Sequence, residues 1–274
     1  MIRGLYTGAI GMYMRMNQHD VIANNIANVD TTGYKADRII FKAFPDKVAS
    51  RLNDDIERFI DGSIIDKAPK VGKIGTGVEI NDLYSNMAQG QLQETDSPFD
   101  LAILGNGFFA VQTPDGIKYT RNGAFTVNSE GILMTEAGYS VLGESGLIVV
   151  LDDNNFVVRD DGSIVVNLND DKRPPNEFEQ TIVSDKIKIV TFKEPRQLDK
   201  YGHNLFEPTE ESGHPEPAID VRIKQGAIEK SNVNIVEEMV LLIDVMRAYE
   251  ANQKSVQVHD DLLRQAWSEV SRFA

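Results

Sequence analysis

Long helical seams mark both ends of this 274-residue chain, and the roughly 200 residues between them read as β-strand and turn. Ile2, Leu5, Ala9, Met12, Met16, His19, Ala23 and Ile26 recur at alternating steps of three and four, which keeps one stripe on one helix face. That run closes at Asn28. Ile235, Met239, Leu242, Met246, Tyr249, Gln253, Val256, Asp260, Leu263 and Trp267 follow the same rule at the other end, a coiled-coil seam with two polar interruptions. At ~1.5 Å per residue the helices would be roughly 40 and 50 Å long, too long and too one-sided to stand alone in water. Each needs a partner helix, and the simplest partner for the first is the second. The expected fold is therefore α+β: long N- and C-terminal helices pairing as a coiled coil, with an antiparallel β-rich domain inserted between them. An ordinary α+β domain whose terminal helices pack on its own sheet satisfies the spacing equally well.

The middle carries turn signals every 8 to 12 residues: Asp115-Gly116, Asn122-Gly123, Glu130-Gly131, Ala137-Gly138, Ser145-Gly146 and Asp161-Gly162. Between them lie β-branched and aromatic runs at 108–113, 124–127, 156–158, 164–168 and 186–192, the pattern of a hairpin-built antiparallel domain. Residues 36–78 have mixed charge and weak periodicity and read as an extended connector. Residues 169–179, with Pro174-Pro175, read as a surface loop or tip. The expected organisation is an N-terminal helix in 1–35, the connector in 36–78, a β-rich outer domain in 79–229 and the C-terminal helix in 230–274.

Charge excludes some partners. The net charge of −14 argues against nucleic acid, which demands a basic surface. Residues 1–35 sum to +1 and residues 231–274 to −3, which leaves −12 in the middle. The helices are thus close to neutral and free to pack. No stretch approaches the ~20 apolar residues of a membrane span. The N-terminus lacks a continuous apolar core and cleavage site, so export by the usual cleaved route is not expected. With no cysteine there is no disulfide, no thiolate nucleophile and no Cys-ligated zinc.

Apparent catalytic and ligand-binding signals mostly fail on physical grounds. Gly105-Asn106-Gly107-Phe108-Phe109-Ala110 has the letters of a dinucleotide fingerprint, yet a strand follows it where a helix N-terminus would have to hold the phosphates, so a hairpin turn is expected. Asp152-Asp153-Asn154-Asn155 opens like a calcium loop but meets Val157 where glycine is needed and Ser163 where a bidentate glutamate is needed. His19, His203, His214 and His259 are far apart, with no second histidine at ligand spacing. No catalytic residue, metal site or cofactor is expected.

One segment is too specific to be a generic helix stop: Asn24-Asn25-Ile26-Ala27-Asn28-Val29-Asp30-Thr31-Thr32-Gly33-Tyr34-Lys35. It resembles the signature of the flagellar basal-body rod and hook family, the axial proteins of the bacterial flagellum. The segment Phe99 to Phe109, with Gly105, Gly107, Phe108 and Phe109, and the segment Tyr119 to Phe125, with Arg121 and Gly123, are similar to its paired central motifs. Gln225 to Asn234, with Ser231, Asn232 and Asn234, followed by Arg247 to Asn252, resembles its C-terminal signature. The resemblance implies terminal helices that pair and pack against neighbouring subunits in the wall of a hollow helical tube, with the β-rich middle projecting outward. It implies a torque-transmitting rod subunit without an active site, sited in the periplasm-spanning basal body. Its partners would be its own copies, other rod and hook subunits and the flagellar type III export apparatus, which takes subunits without a cleaved signal. The seam residues Leu5, Ala9, Met12, Met16, Ile26, Met239, Leu242, Met246, Tyr249, Val256, Leu263 and Trp267 would then form subunit interfaces. The modest β domain looks like that of a rod subunit. Arg58-Phe59 and Lys67-Ala68-Pro69 look like a proximal rod protein and Ile74-Gly75-Thr76-Gly77-Val78 like a distal one, the balance falling slightly to the proximal. A β-rich sugar-binding or hydrolase domain and an export chaperone are the readings from other classes.

Overall fold

In the computed structural model the described residues are 2–50, 56–58, 64–66, 70–75, 77–150, 156–167, 181–218 and 221–273. The Asp152 to Asn155 run, Phe59, Lys67 to Pro69 and the 169–179 stretch lie outside them. Two helices bracket the chain: α1 (Ile2–Ala27) and α2 (Ile235–Phe273), with the strands between them. The chain divides into two compact units, one of Met1–Ala23, Ile39–Leu83 and Met239–Ala274, the other of Asn24–Arg38 and Tyr84–Glu238.

In the first unit, α1 faces α2 through glycine. A β-carbon on Gly4, Gly8 or Gly11 would run into His259, Val256 or Asn252 respectively. Each of these glycines sits one position before Leu5, Ala9 or Met12 of the expected stripe. Leu5 and Met12 are half-buried, while Ala9 and Met16 are exposed. Size is the reason: two helix axes approach most closely where side chains are smallest. On α2 the inward line carries Val245, 3% exposed, with Leu242, Tyr249, Val256 and Leu263 half-buried. Met239, Met246 and Trp267 are 48%, 43% and 74% exposed, and Val240 and Ile243 extend the first two into one apolar face.

Among the described residues of 36–78, strands pair as antiparallel ladders. Asp37–Ala43 pairs with Val78–Ser85, and Lys47–Ser50 with Lys70–Ile74. Ile56–Arg58 pairs with Ile64–Asp66.

The second unit holds a nine-stranded sheet, all of whose pairings are antiparallel. Its hub is Phe108–Thr113, bonded to Gly116–Thr120, Ser140–Val141 and Ile189–Thr191. Side chains alternate across a strand. Phe109 and Val111 enter one core cluster with Leu133 and Ile164, and Phe108 and Ala110 enter another with Phe192 and Phe206. That explains the unbroken apolar run Phe-Phe-Ala-Val, since a strand buried on both faces has no solvent side to make polar. Hairpins close at Asp115-Gly116, Glu130-Gly131, Ala137-Gly138 and Asp161-Gly162, with positive φ at each glycine. Gly105-Asn106-Gly107 is a turn followed by a strand, but it is not the expected hairpin. Leu101–Leu104 pairs instead with Arg222–Gln225, so the turn passes the chain from one sheet to another.

Candidate functional site

Three stretches far apart in sequence, 24–38, 86–125 and 225–238, meet within the second unit around one buried ion cluster. The first is shaped by its own side chains. Asn28 donates to the Asn24 carbonyl at 2.9 Å and Thr31 donates to Asn28 Oδ1 at 3.2 Å, closing α1. Asn25, fully buried, donates to the Asp37 carbonyl and accepts from the Asp37 amide, at 3.0 and 2.9 Å. The Tyr34 hydroxyl donates to Asn24 Oδ1 at 2.9 Å. Gly33 has φ of 68°, and a side chain there would strike the backbone of Arg121 and Asn122. Its amide donates to the Glu229 carbonyl at 2.7 Å.

At the centre, Lys35 Nζ donates to Glu229 Oε1 at 2.5 Å and to the Ala88 carbonyl at 2.8 Å. Glu229 Oε1 also accepts from the Gly90 amide at 2.8 Å. Arg121 donates through Nη2 to the Gly105 carbonyl at 2.6 Å, and its Nη1 stands 3.6 Å from Glu229 Oε2 as an ion pair without a hydrogen bond. Phe108 lies under the guanidinium. All three charged side chains are buried. Burial pulls Lys35 below the usual lysine value, with Glu229 opposing that shift, and burial likewise lowers Arg121.

Around this cluster Asn232 bridges two stretches: it accepts from the Ala36 amide at 2.8 Å and donates to the Asn86 carbonyl at 2.7 Å. Lys200 donates to the Lys35 carbonyl and pairs with Asp37 Oδ1, both at 2.8 Å, while lying over the Tyr34 ring. Arg38 approaches Glu238, fully buried at the start of α2, to 3.0 Å. Asn234 caps α2, accepting from the Val236 amide at 3.1 Å, with Glu237 and Glu238 in the first turn, where the helix dipole favours acids.

The motif residues Asn25, Gly33, Tyr34, Lys35, Gly107, Phe108, Phe109, Arg121, Gly123 and Ser231 are buried, Asn28, Thr31 and Asn232 are half-buried, and Asn24, Gly105 and Asn234 are exposed. Of the seam residues, Ile26 and Ile235 lie in this unit, the first half-buried and the second exposed. Glu229 lies inside the C-terminal motif, which does not by itself single it out. The signal was present: on a strand, Glu229 shares a face with Ala227, and a buried acid demands a cation. Asp37, Glu238 and Lys200 carried no comparable signal. A 540 Å³ cleft beside the cluster is lined by Asn24, Tyr34, Glu136 and His203 among others. Among the described residues no group of three or more histidine, aspartate or glutamate side chains could hold a metal.

Fold and site define an α+β protein whose first and last motif segments are tied into one β-rich unit by a buried ion cluster. Residues 5–35 match the family described as "Flagella basal body rod protein", 102–166 the "Flagellar hook protein FlgE/F/G D1 domain" and 224–268 the "Flagellar basal body rod FlgEFG protein C-terminal". The flagellar basal-body rod protein FlgG of Borreliella burgdorferi is 35% identical over 96% of this chain and 97% of its own length. FlgG of Buchnera aphidicola (Schizaphis graminum) is 33% identical over 96% and 98%. The flagellar basal-body rod protein FlgF of Caulobacter vibrioides is 34% identical over 97% of each. The chain belongs to the flagellar basal-body rod protein family.

Proposed function

We propose that this chain is a structural subunit of the bacterial flagellar basal-body rod. Its copies polymerise with other rod and hook subunits into a helical tube that carries torque and leaves a lumen for export. The observation that carries this reading is the full-length likeness to proteins named for the rod, spanning both helices and the β-rich middle. In this reading α1 and α2 form a coiled-coil core. The apolar face of Met239, Val240, Ile243 and Met246 then meets neighbouring subunits, as open helical assembly requires one patch to bind a different patch on the next copy. The subunit reaches the basal body through the flagellar type III apparatus without a cleaved signal. It has no catalytic role.

The test is Met246→Asp. Met246 is exposed, so the chain should keep its own fold, while a charge buried in a subunit interface should abolish swimming, since an unpaired buried ion costs several kcal/mol. Normal swimming would count heavily against the reading. Deleting the gene and imaging isolated basal bodies by electron cryomicroscopy gives the position: a rod that stops near the membrane marks a proximal subunit, one that stops further out a distal subunit. Complete rods would return the question to a ligand in the β-rich unit.

A further inference from the structure

Lys35, Arg121 and Glu229 bring a net charge of +1 into a buried site, and Glu229 Oε2 and Arg121 Nη1 face each other without a hydrogen bond. Replacing a buried ion cluster by apolar side chains of equal volume is often neutral or stabilising. Stability is therefore a weak reason for these residues, and positional specificity a better one.

We infer that this cluster is a register lock for assembly, holding segments 24–38 and 225–238 at one fixed offset. This deepens the rod-subunit reading and rests on it. Glu229 is bonded to segment 24–38 twice, through its carboxylate to Lys35 and through its carbonyl to Gly33. A one-residue slip of strand Ala227–Glu229 would move every side chain to the other face. It would put Ile228 or Lys230 opposite Lys35, leaving a buried cation against a hydrocarbon or against another cation. An apolar contact would tolerate such a slip, and the ion pair does not. The fixed offset sets where α1 ends and α2 begins within this unit, and neighbouring subunits read those helices.

Lys35→Met tests this in the full chain, expressed in a host lacking the gene. It leaves Glu229 opposite Arg121, a neutral pair, so the protein should fold. The control is Ile164→Val, a core change whose melting temperature is compared with that of Lys35→Met; should the two differ, a second core valine truncation brings them together. With melting matched, we expect roughly tenfold fewer complete basal bodies from Lys35→Met, a decade of assembly affinity, and near wild-type numbers from the control. Wild-type yield from Lys35→Met, or an equal loss in the control, overturns the inference. Should Lys35→Met fail to fold, Lys35→Gln, which keeps a hydrogen-bond donor, is read in the same way. The wild-type chain tests the parent reading separately: complete rods in the deletion host, or no restoration by the wild-type gene, would sink that reading whatever the variants do.

Discussion

Tyr34 shows how much one side chain contributes to this site. Its ring lies under the Lys200 ammonium, and its hydroxyl donates to Asn24 and Asn25 in the last turn of α1. Burial, with Asp37 and Glu238 adding negative potential, raises its ionisation well above the ordinary 10.0. Above pH 10 the unfolded chain therefore releases a proton that the folded chain keeps, so stability present below that pH is lost as pH rises. Lys35 and Lys200, lowered by burial, act in the opposite direction, and their effect is complete by their unfolded value of 10.5. Chemical denaturation from neutral to strongly alkaline pH should thus show a decline beyond pH 10.5 that Tyr34→Phe makes shallower by up to about 1.4 kcal/mol per pH unit. Tyr119, also raised by burial, supplies part of what remains. An unchanged slope in Tyr34→Phe would show that the phenol is not the titrating group. Gly33 was legible from its place in a helix exit, where a left-handed residue is the usual solution. Glu229 was legible only by asking which strand face it shares. Lys200, 165 residues from Lys35, was not legible at all.

At the scale of elements, the hairpin joining Asp199–Gly202 to Leu205–Glu207 clasps the helix exit. Its tip residues His203 and Asn204 both have positive φ, the backbone that suits the twist of a two-residue hairpin. Asn204 donates to the Thr32 carbonyl at 2.8 Å, while its own carbonyl accepts from Thr120 at 2.9 Å. Asn204→Gly keeps the turn and loses the Thr32 bond, so it should cost about 1 kcal/mol in thermal unfolding. Asn204→Ala adds left-handed strain and should cost about 1 kcal/mol more. Equal losses from the two would mean that the bond alone, and not the backbone, matters there. The helix ends and several hairpins were readable because caps, glycines and periodicity act over a few residues. The face of α1 that meets α2 was not readable, because Gly4, Gly8 and Gly11 add nothing to a hydrophobic stripe yet permit the closest approach.

For the molecule as a whole, the large apolar clusters and the ion cluster all belong to the unit of Asn24–Arg38 and Tyr84–Glu238. A chain cut to 24–238 should therefore keep the cooperative melting of that unit. A chain cut to 84–238 loses the hydrogen bonds of Lys35 and Gly33 to Glu229, so it should melt roughly 4 to 18 °C lower. Equal melting of the two would show that segment 24–38 is only laid against a finished domain. By itself the sequence determined the two terminal helices, the antiparallel character of the middle and the family, because each rests on short-range spacing or on motif strings. Only the tertiary structure decided that three motifs close on one buried ion cluster, that the chain crosses between sheets at Gly105 to Gly107, and which face of each helix is packed. Those outcomes depend on which residues approach across long separations, and burial and ion pairing there are set by the assembled packing, which no local pattern encodes.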